Sequence, residues 1–245
     1  MEAGEHLEAA WEALDSEESE IAATHARRAL TLAPDEIDAY ALLAEIAATA
    51  AEKQALLREA VRIGTQEWSA CFKKPSETSF WLSLGTRPYM RAVHSLAIAL
   101  WDTRAPDKRL EAVAFARHLL RLNPNDNQGI RFLLLAWLPI VGQWDAAAKI
   151  ARRFARDGRT ETTYWHALHL LRAEEPQAVE ALKEALAINP HVPSLLTSRR
   201  KPAMPDVDAV AFRSPNEARA YAHMAHEAWR ATPKAVAWLK TLAAR

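Results

Sequence analysis

The sequence predicts an all-α fold of stacked antiparallel helix pairs, and three observations carry that reading. A helix-ending element recurs. Ala26-Arg27-Arg28-Ala29-Leu30-Thr31-Leu32-Ala33-Pro34, Arg117-His118-Leu119-Leu120-Arg121-Leu122-Asn123-Pro124 and Leu182-Lys183-Glu184-Ala185-Leu186-Ala187-Ile188-Asn189-Pro190 each close an apolar helical pattern on an X-Pro step, where helix is disfavoured before the proline. Small or aliphatic residues stand at matching offsets before each proline: Ala22, Ala26 and Ala29; Ala112, Ala116 and Leu119; Ala178, Leu182 and Ala185. Such residues let paired helices approach closely. Finally, only six glycines in 245 residues, with half the chain apolar and rich in alanine, suit helix throughout.

The elements follow in order. Residues 5–14 pattern as a short helix on Leu7, Trp11 and Leu14, and 15–18 read as a turn before a second helix ending at Leu32. Ile37, Tyr40, Leu43 and Ala44 recur at helical spacing. Their partner covers 52–63, with Gly64 as its C-terminal stop. The period then breaks: 71–85 mixes Phe72, Lys73, Lys74, Pro75, Phe80, Trp81 and Leu84 without regular spacing, which predicts a short helix and loop inserted between repeats. Pro88 opens a strong helix to Trp101, since its missing N–H is not needed in a first turn. Residues 109–122 are its partner. Asn125 and Gln128 have capping-box spacing for a very apolar helix over 128–138. Further helices are expected over 145–156, 162–171 and 176–188. The stretch 191–214 reads as extended chain. Ser214-Pro215-Asn216-Glu217 starts a helix to Trp229, and a last one carries Val236, Trp238, Leu239 and Leu242.

Pro124 and Pro190 lie 66 residues apart, two units of about 33, close to the ~34-residue tetratricopeptide period. Pro34 and Pro124 are 90 apart, as an insertion requires. The expectation is one helical-repeat domain over 1–245: N-terminal repeats in 1–64, insertion and long helix in 65–105, central repeats in 106–190, and an extended segment with capping helices in 191–245.

Composition narrows function. Thirty-one basic and thirty-one acidic residues are interleaved and sum to zero charge, which argues against nucleic acid as a partner. The single cysteine, Cys71, excludes an intrachain disulfide and a multi-cysteine metal site. An acidic N-terminus without an apolar run, and an apolar stretch at 132–141 too short for a bilayer, predict a soluble cytoplasmic protein with no membrane role.

The residues hold no nucleophile elbow, phosphate loop or kinase signature, so no catalytic residue and no cofactor is expected. His166 with His169, and His223 with His226, share helix faces at i, i+3, yet neither pair has the carboxylate that would complete a metal set. The leading expectation is a non-enzymatic scaffold whose concave, first-helix surface binds a peptide or protein segment. Its groove residues would be Arg87, Tyr89, Arg91, Gln128, Arg131, Trp165 and His169. Arg87 and Arg91 could grip an anionic group at a helix start, or pair with a neighbouring carboxylate. Trp68 and Trp81 are candidates for a partner-facing pocket. The alternatives are a ligand-binding, metal-binding or enzymatic protein using the insertion and the histidine pairs, and nucleic-acid binding through Arg199, Arg200 and Lys201.

Several stretches resemble a known group. Gly85-Thr86-Arg87-Pro88-Tyr89-Met90-Arg91-Ala92, Leu122-Asn123-Pro124-Asn125-Asp126-Asn127-Gln128-Gly129 and Asn189-Pro190-His191-Val192-Pro193 look like bacterial tetratricopeptide-repeat proteins. Together with Glu217-Ala218-Arg219-Ala220-Tyr221-Ala222, Ala10-Trp11-Glu12 and Leu42-Leu43-Ala44-Glu45, their order is similar to the core of the suppressor-of-tumorigenicity family of animals. The resemblance spans most of the chain. It implies a tetratricopeptide-like α-α superhelix with an interaction role, and carries over no catalytic residue. The chain departs from the animal group in lacking membrane-spanning segments.

Overall fold

The structure is a computed structural model that describes residues 2–73 and 80–243, without the side chains of Val207, Leu242 and Ala243. Part of the predicted insertion, 74–79, and the side chain of Leu242, expected on the last helix, lie outside that description. The described residues form thirteen α-helices with short 3-10 turns and no strand. They divide into two compact units, residues 1–130 and 131–245.

The first unit holds three helical pairs: α1 (Ala3–Asp15) with α2 (Ser19–Leu32), α3 (Ile37–Glu45) with α4 (Ala50–Trp68), and α5 (Arg87–Asp102) with α6 (Pro106–Leu122). First helices neighbour first helices, α1 on α3 and α3 on α5, while α2 also packs on α3 and α4 on α5. The alanines predicted to allow close approach do so: Ala22, Ala26, Ala29, Ala112 and Ala116 are all buried. Two ion pairs bridge successive pairs at an equal separation of 53 residues. Asp38 of α3 meets Arg91 of α5 at 2.6 Å, and Arg58 of α4 grips Glu111 of α6 through two bonds of 2.7 Å.

The repeated X-Pro joint is one backbone conformation used three times. Ala33, Asn123 and Asn189 have (φ, ψ) of (−134°, 90°), (−128°, 78°) and (−145°, 96°). Each donates its N–H to the carbonyl four residues back. The turns inside pairs share another device, a left-handed residue at the helix end: Glu17, Gly142 and Glu174. In each case the following N–H reaches five residues back, from Glu18, Gln143 and Glu175 to Ala13, Leu138 and Leu170, which satisfies carbonyls the helix leaves open.

Gly64 is not the stop predicted for it. α4 runs on to Trp68, and Gly64 sits buried inside it. A Cβ there would stand 2.4 Å from Cδ2 of Tyr89; the glycine is present so that α5 can approach. Gly64→Ala should therefore lower stability by about 1–3 kcal/mol in a urea melt, despite alanine's better helix propensity. An unchanged or raised midpoint would refute this account of the approach.

The joint after α6 also differs from its expected form. Asp126, not Asn125, caps the next helix: its Oδ1 accepts the Ile130 N–H at 2.7 Å. Left-handed backbone at Asp126 and Gly129 makes room for that longer turn, so helix begins at Ile130 rather than Gln128.

The second unit contains α7 (Ile130–Ile140, whose first residue belongs to the first unit), α8 (Trp144–Phe154), α9 (Thr160–Arg172), α10 (Ala178–Ile188), α11 (Val192–Thr197), α12 (Pro215–Ala231) and α13 (Ala235–Ala243). Leu134 to Leu138 are buried without a break, which explains why α7 is apolar all round. α9 is central, packed by α8, α10 and α12. The predicted extended tail contains α11, with Pro193 in its first turn and Val192 and Leu196 buried. α11, α12 and α13 pack together as the C-terminal cap.

Candidate protein-interaction face

α3 and α5 are first helices of consecutive pairs, and their side-by-side packing produces an exposed face. On α5, Arg91, Ser95 and Ile98 follow one another at i, i+4 and i+7; on α3, Asp38, Ala41 and Glu45 stand at i, i+3 and i+7, again along one helix face. Arg91 is half exposed and held to the nearly buried Asp38, whose Oδ1 has no hydrogen-bond partner. The guanidinium is thus oriented by one bond while about half of the side chain remains exposed. The face leads into a cleft of about 360 Å³ lined by Glu45, Lys53, Gln54, Ser95, Ile98 and Asp102. Its volume lies within the ~300–1,000 Å³ of ligand clefts. Gln54 fixes one wall by donating to the Ala99 carbonyl at 3.3 Å.

Beside this face the insertion docks through aromatic rings. Phe72 stacks on Tyr89 with centroids 5.3 Å apart and meets His118 edge-on at 4.8 Å; Phe80 packs edge-on against Trp68 and Tyr89. Arg121 donates to His118 Nδ1 at 2.8 Å, so Nε2 carries the ring proton and points to the Tyr89 hydroxyl at 2.9 Å. Burial first, then the Arg121 charge, lowers the His118 pKa to about 4; the ring is a neutral structural link.

The seven predicted groove residues fall in both units. Four lie in the first. Arg91 is on the exposed face, paired with the neighbouring carboxylate as the second of the two expectations had it. Arg87 lies over the Trp81 ring at 5.1 Å, which commits that tryptophan to the fold. Tyr89 is 2% exposed and offers no surface to a partner. Gln128 lies in the joint, half-buried, its Oε1 without a hydrogen-bond partner.

The other three are packed within the second unit. The Arg131 guanidinium lies 4.2 Å from the Phe132 ring centre and 5.1 Å from that of Phe154, and its Nε donates to Asp157 at 3.1 Å. Trp165, 1% exposed, packs on Tyr221 and His169. His169 sits between Trp144 and Trp165, and burial, then Arg172, lowers its pKa to about 4. All three are supports of the unit. Aromatic and basic residues on a first helix look alike in sequence whether they face the core or a ligand.

The pair His223 and His226 also has a packing role. His223 Nδ1 donates to the Pro202 carbonyl at 2.9 Å, and His226 Nε2 to that of Ser198 at 3.1 Å, where Arg230 adds a third bond. They pin the segment after α11, leaving Arg199, Arg200 and Lys201 exposed on it. No group of three or more metal-ligating side chains occurs among the described residues, and no described helix is long and apolar enough to cross a membrane.

No family model matches the chain, and no curated protein sequence matches it. Among solved structures, the crystal structure of YrrB, described as a TPR protein with an unusual peptide-binding site, is similar with a TM-score of 0.55. Sequence identity is 18%, and the match covers 76% of this chain and 85% of that one. The likeness establishes the class by architecture: an all-α, tetratricopeptide-like helical repeat protein.

Proposed function

We propose that the protein is a non-enzymatic scaffold that binds a peptide or protein segment along the exposed first-helix face of α3 and α5. One observation carries the reading: Arg91 is half exposed, yet its direction is set by the Asp38 carboxylate at 2.6 Å. A guanidinium oriented in this way has N–H groups ready for a carbonyl or carboxylate at little entropic cost. Ile98, 36% exposed two turns along, supplies an apolar contact. Of the predicted groove residues the proposal keeps Arg91 as the contact, with Arg87 at the rim; Tyr89, Gln128, Arg131, Trp165 and His169 hold the framework. The peptide-binding site named for YrrB supports a partner of this class. The same reading places the protein in the cytoplasm, working without a cofactor, and includes kinship with bacterial tetratricopeptide-repeat proteins and the suppressor-of-tumorigenicity core.

Affinity capture from the native host with mass spectrometry tests it. Ile98→Glu should reduce recovery of the specific partner about tenfold with only a small drop in melting temperature, because part of the side chain is already exposed. Arg91→Ala should do the same with a small loss of stability. Partner recovery unaffected by both substitutions would refute the α3–α5 face.

A further inference from the structure

A second groove lies between α2 and α4 of the first unit and shares no lining residue with the α3–α5 face. Its floor is apolar: Ala23 and Leu43 are buried, Ile46 and Leu56 half-buried. Exposed Glu20 and Glu52 stand at one end, in the first turns of α2 and α4, and Arg27 stands two turns further along α2. The cavity measures about 520 Å³. From Ser19 to Arg27 it follows eight helical steps, roughly 12 Å, which matches the reach from i to i+7 on a docked helix.

Charge identifies the occupant. Although the whole chain is neutral, residues 1–52 contain thirteen Asp and Glu against two Arg, a net of −11. Phosphate-bearing partners, nucleic acid or anionic membrane, are repelled from such a surface, and a cationic one is drawn to it. We propose that the α2–α4 groove docks a basic amphipathic helix of a partner protein. Aliphatic side chains at i, i+3 or i+4, and i+7 cover the floor, and Lys or Arg at one end meets Glu20 and Glu52. Arg27 at the other end fixes the direction of the docked helix.

The test uses the full chain and two fluorescein-labelled peptides of about 16 residues, with leucines at i, i+4 and i+7 flanked by lysine in one and glutamate in the other. Fluorescence anisotropy should show the lysine peptide binding at least about tenfold more tightly, with the advantage shrinking as salt rises. Glu20→Gln with Glu52→Gln should weaken it about fivefold; glutamine at 52 keeps an acceptor for the Ala48 N–H that Glu52 now serves. Arg27→Glu should tighten binding. Ala47→Trp, at a half-exposed lining position, should abolish binding while leaving melting temperature and partner capture by the α3–α5 face unchanged. Equal affinity for the two peptides, or binding that survives Ala47→Trp, overturns the proposal. A concentration-dependent dimer that Ala47→Trp breaks, without peptide binding, also overturns it and assigns the groove to a second copy of the chain.

Discussion

Asn189→Ala should lower the unfolding free energy by about 3 kcal/mol, while the same change at Asn123 should cost about 1 kcal/mol. The two asparagines occupy the same joint position and are both buried, 0% and 2% exposed. Their partners differ. Asn189 donates to Thr160 Oγ1 at 3.2 Å and to the Ser214 carbonyl at 3.0 Å, and accepts the His191 N–H. Thr160 passes the chain on to Glu217 at 2.7 Å, where the Arg213 N–H also ends. One amide therefore ties the start of α9, the end of α10 and the start of α12. Removing it strands several buried groups, each costly alone. Asn123 accepts a single bond from Asn127, and its Nδ2 has no partner. Chemical denaturation of both variants measures the contrast; equal losses would show that the network adds nothing beyond the shared backbone turn.

Glu161→Gln should make the chain more stable by about 3 kcal/mol at pH 8 relative to its effect at pH 4.5. Burial in the first turn of α9 raises the Glu161 pKa to about 7; its own backbone N–H opposes the shift and the Glu217 carboxylate adds to it. The unfolded chain releases this proton near pH 4.3. Between there and pH 7 the native state binds more protons, so this contribution is fully present at low pH and is lost as pH rises. His118 and His169, lowered to about 4, act in the opposite sense. The unfolded state protonates them first as pH falls below about 6.5, so their contributions grow with pH up to that value. The terms partly cancel in the parent protein, and the diagnostic quantity is the difference between parent and variant across urea titrations from pH 4.5 to 8. A difference that does not change with pH would mean that Glu161 is ionised throughout.

The repeat architecture was legible because it depends on local rules: X-Pro joints, helical periodicity, and small residues at fixed offsets, each found where expected. Gly64 was misread because a helical glycine needed for another helix's approach and one that ends a helix leave the same mark in sequence. Asp126 displaced Asn125 as the cap because two left-handed residues in one joint are not visible from spacing. Arg131 and Trp165 looked like ligand contacts, yet Phe132 with Phe154, and Tyr221, lie against them; which face of a first helix meets its neighbours is decided in three dimensions. Arg91 and its paired carboxylate were anticipated as one of two outcomes. The charge of the first 52 residues was readable but was masked by whole-chain neutrality.

The three X-Pro joints share one set of backbone angles although their side chains differ. The main-chain turn is the shared part of the junction, and the side chain sets how firmly it holds its surroundings, from Ala33, which has no hydrogen-bonding group, to Asn189, which ties three helices. The irregular segment between the second and third pairs is held differently, by the rings of Phe72 and Phe80 packed on each other and on Tyr89 of α5.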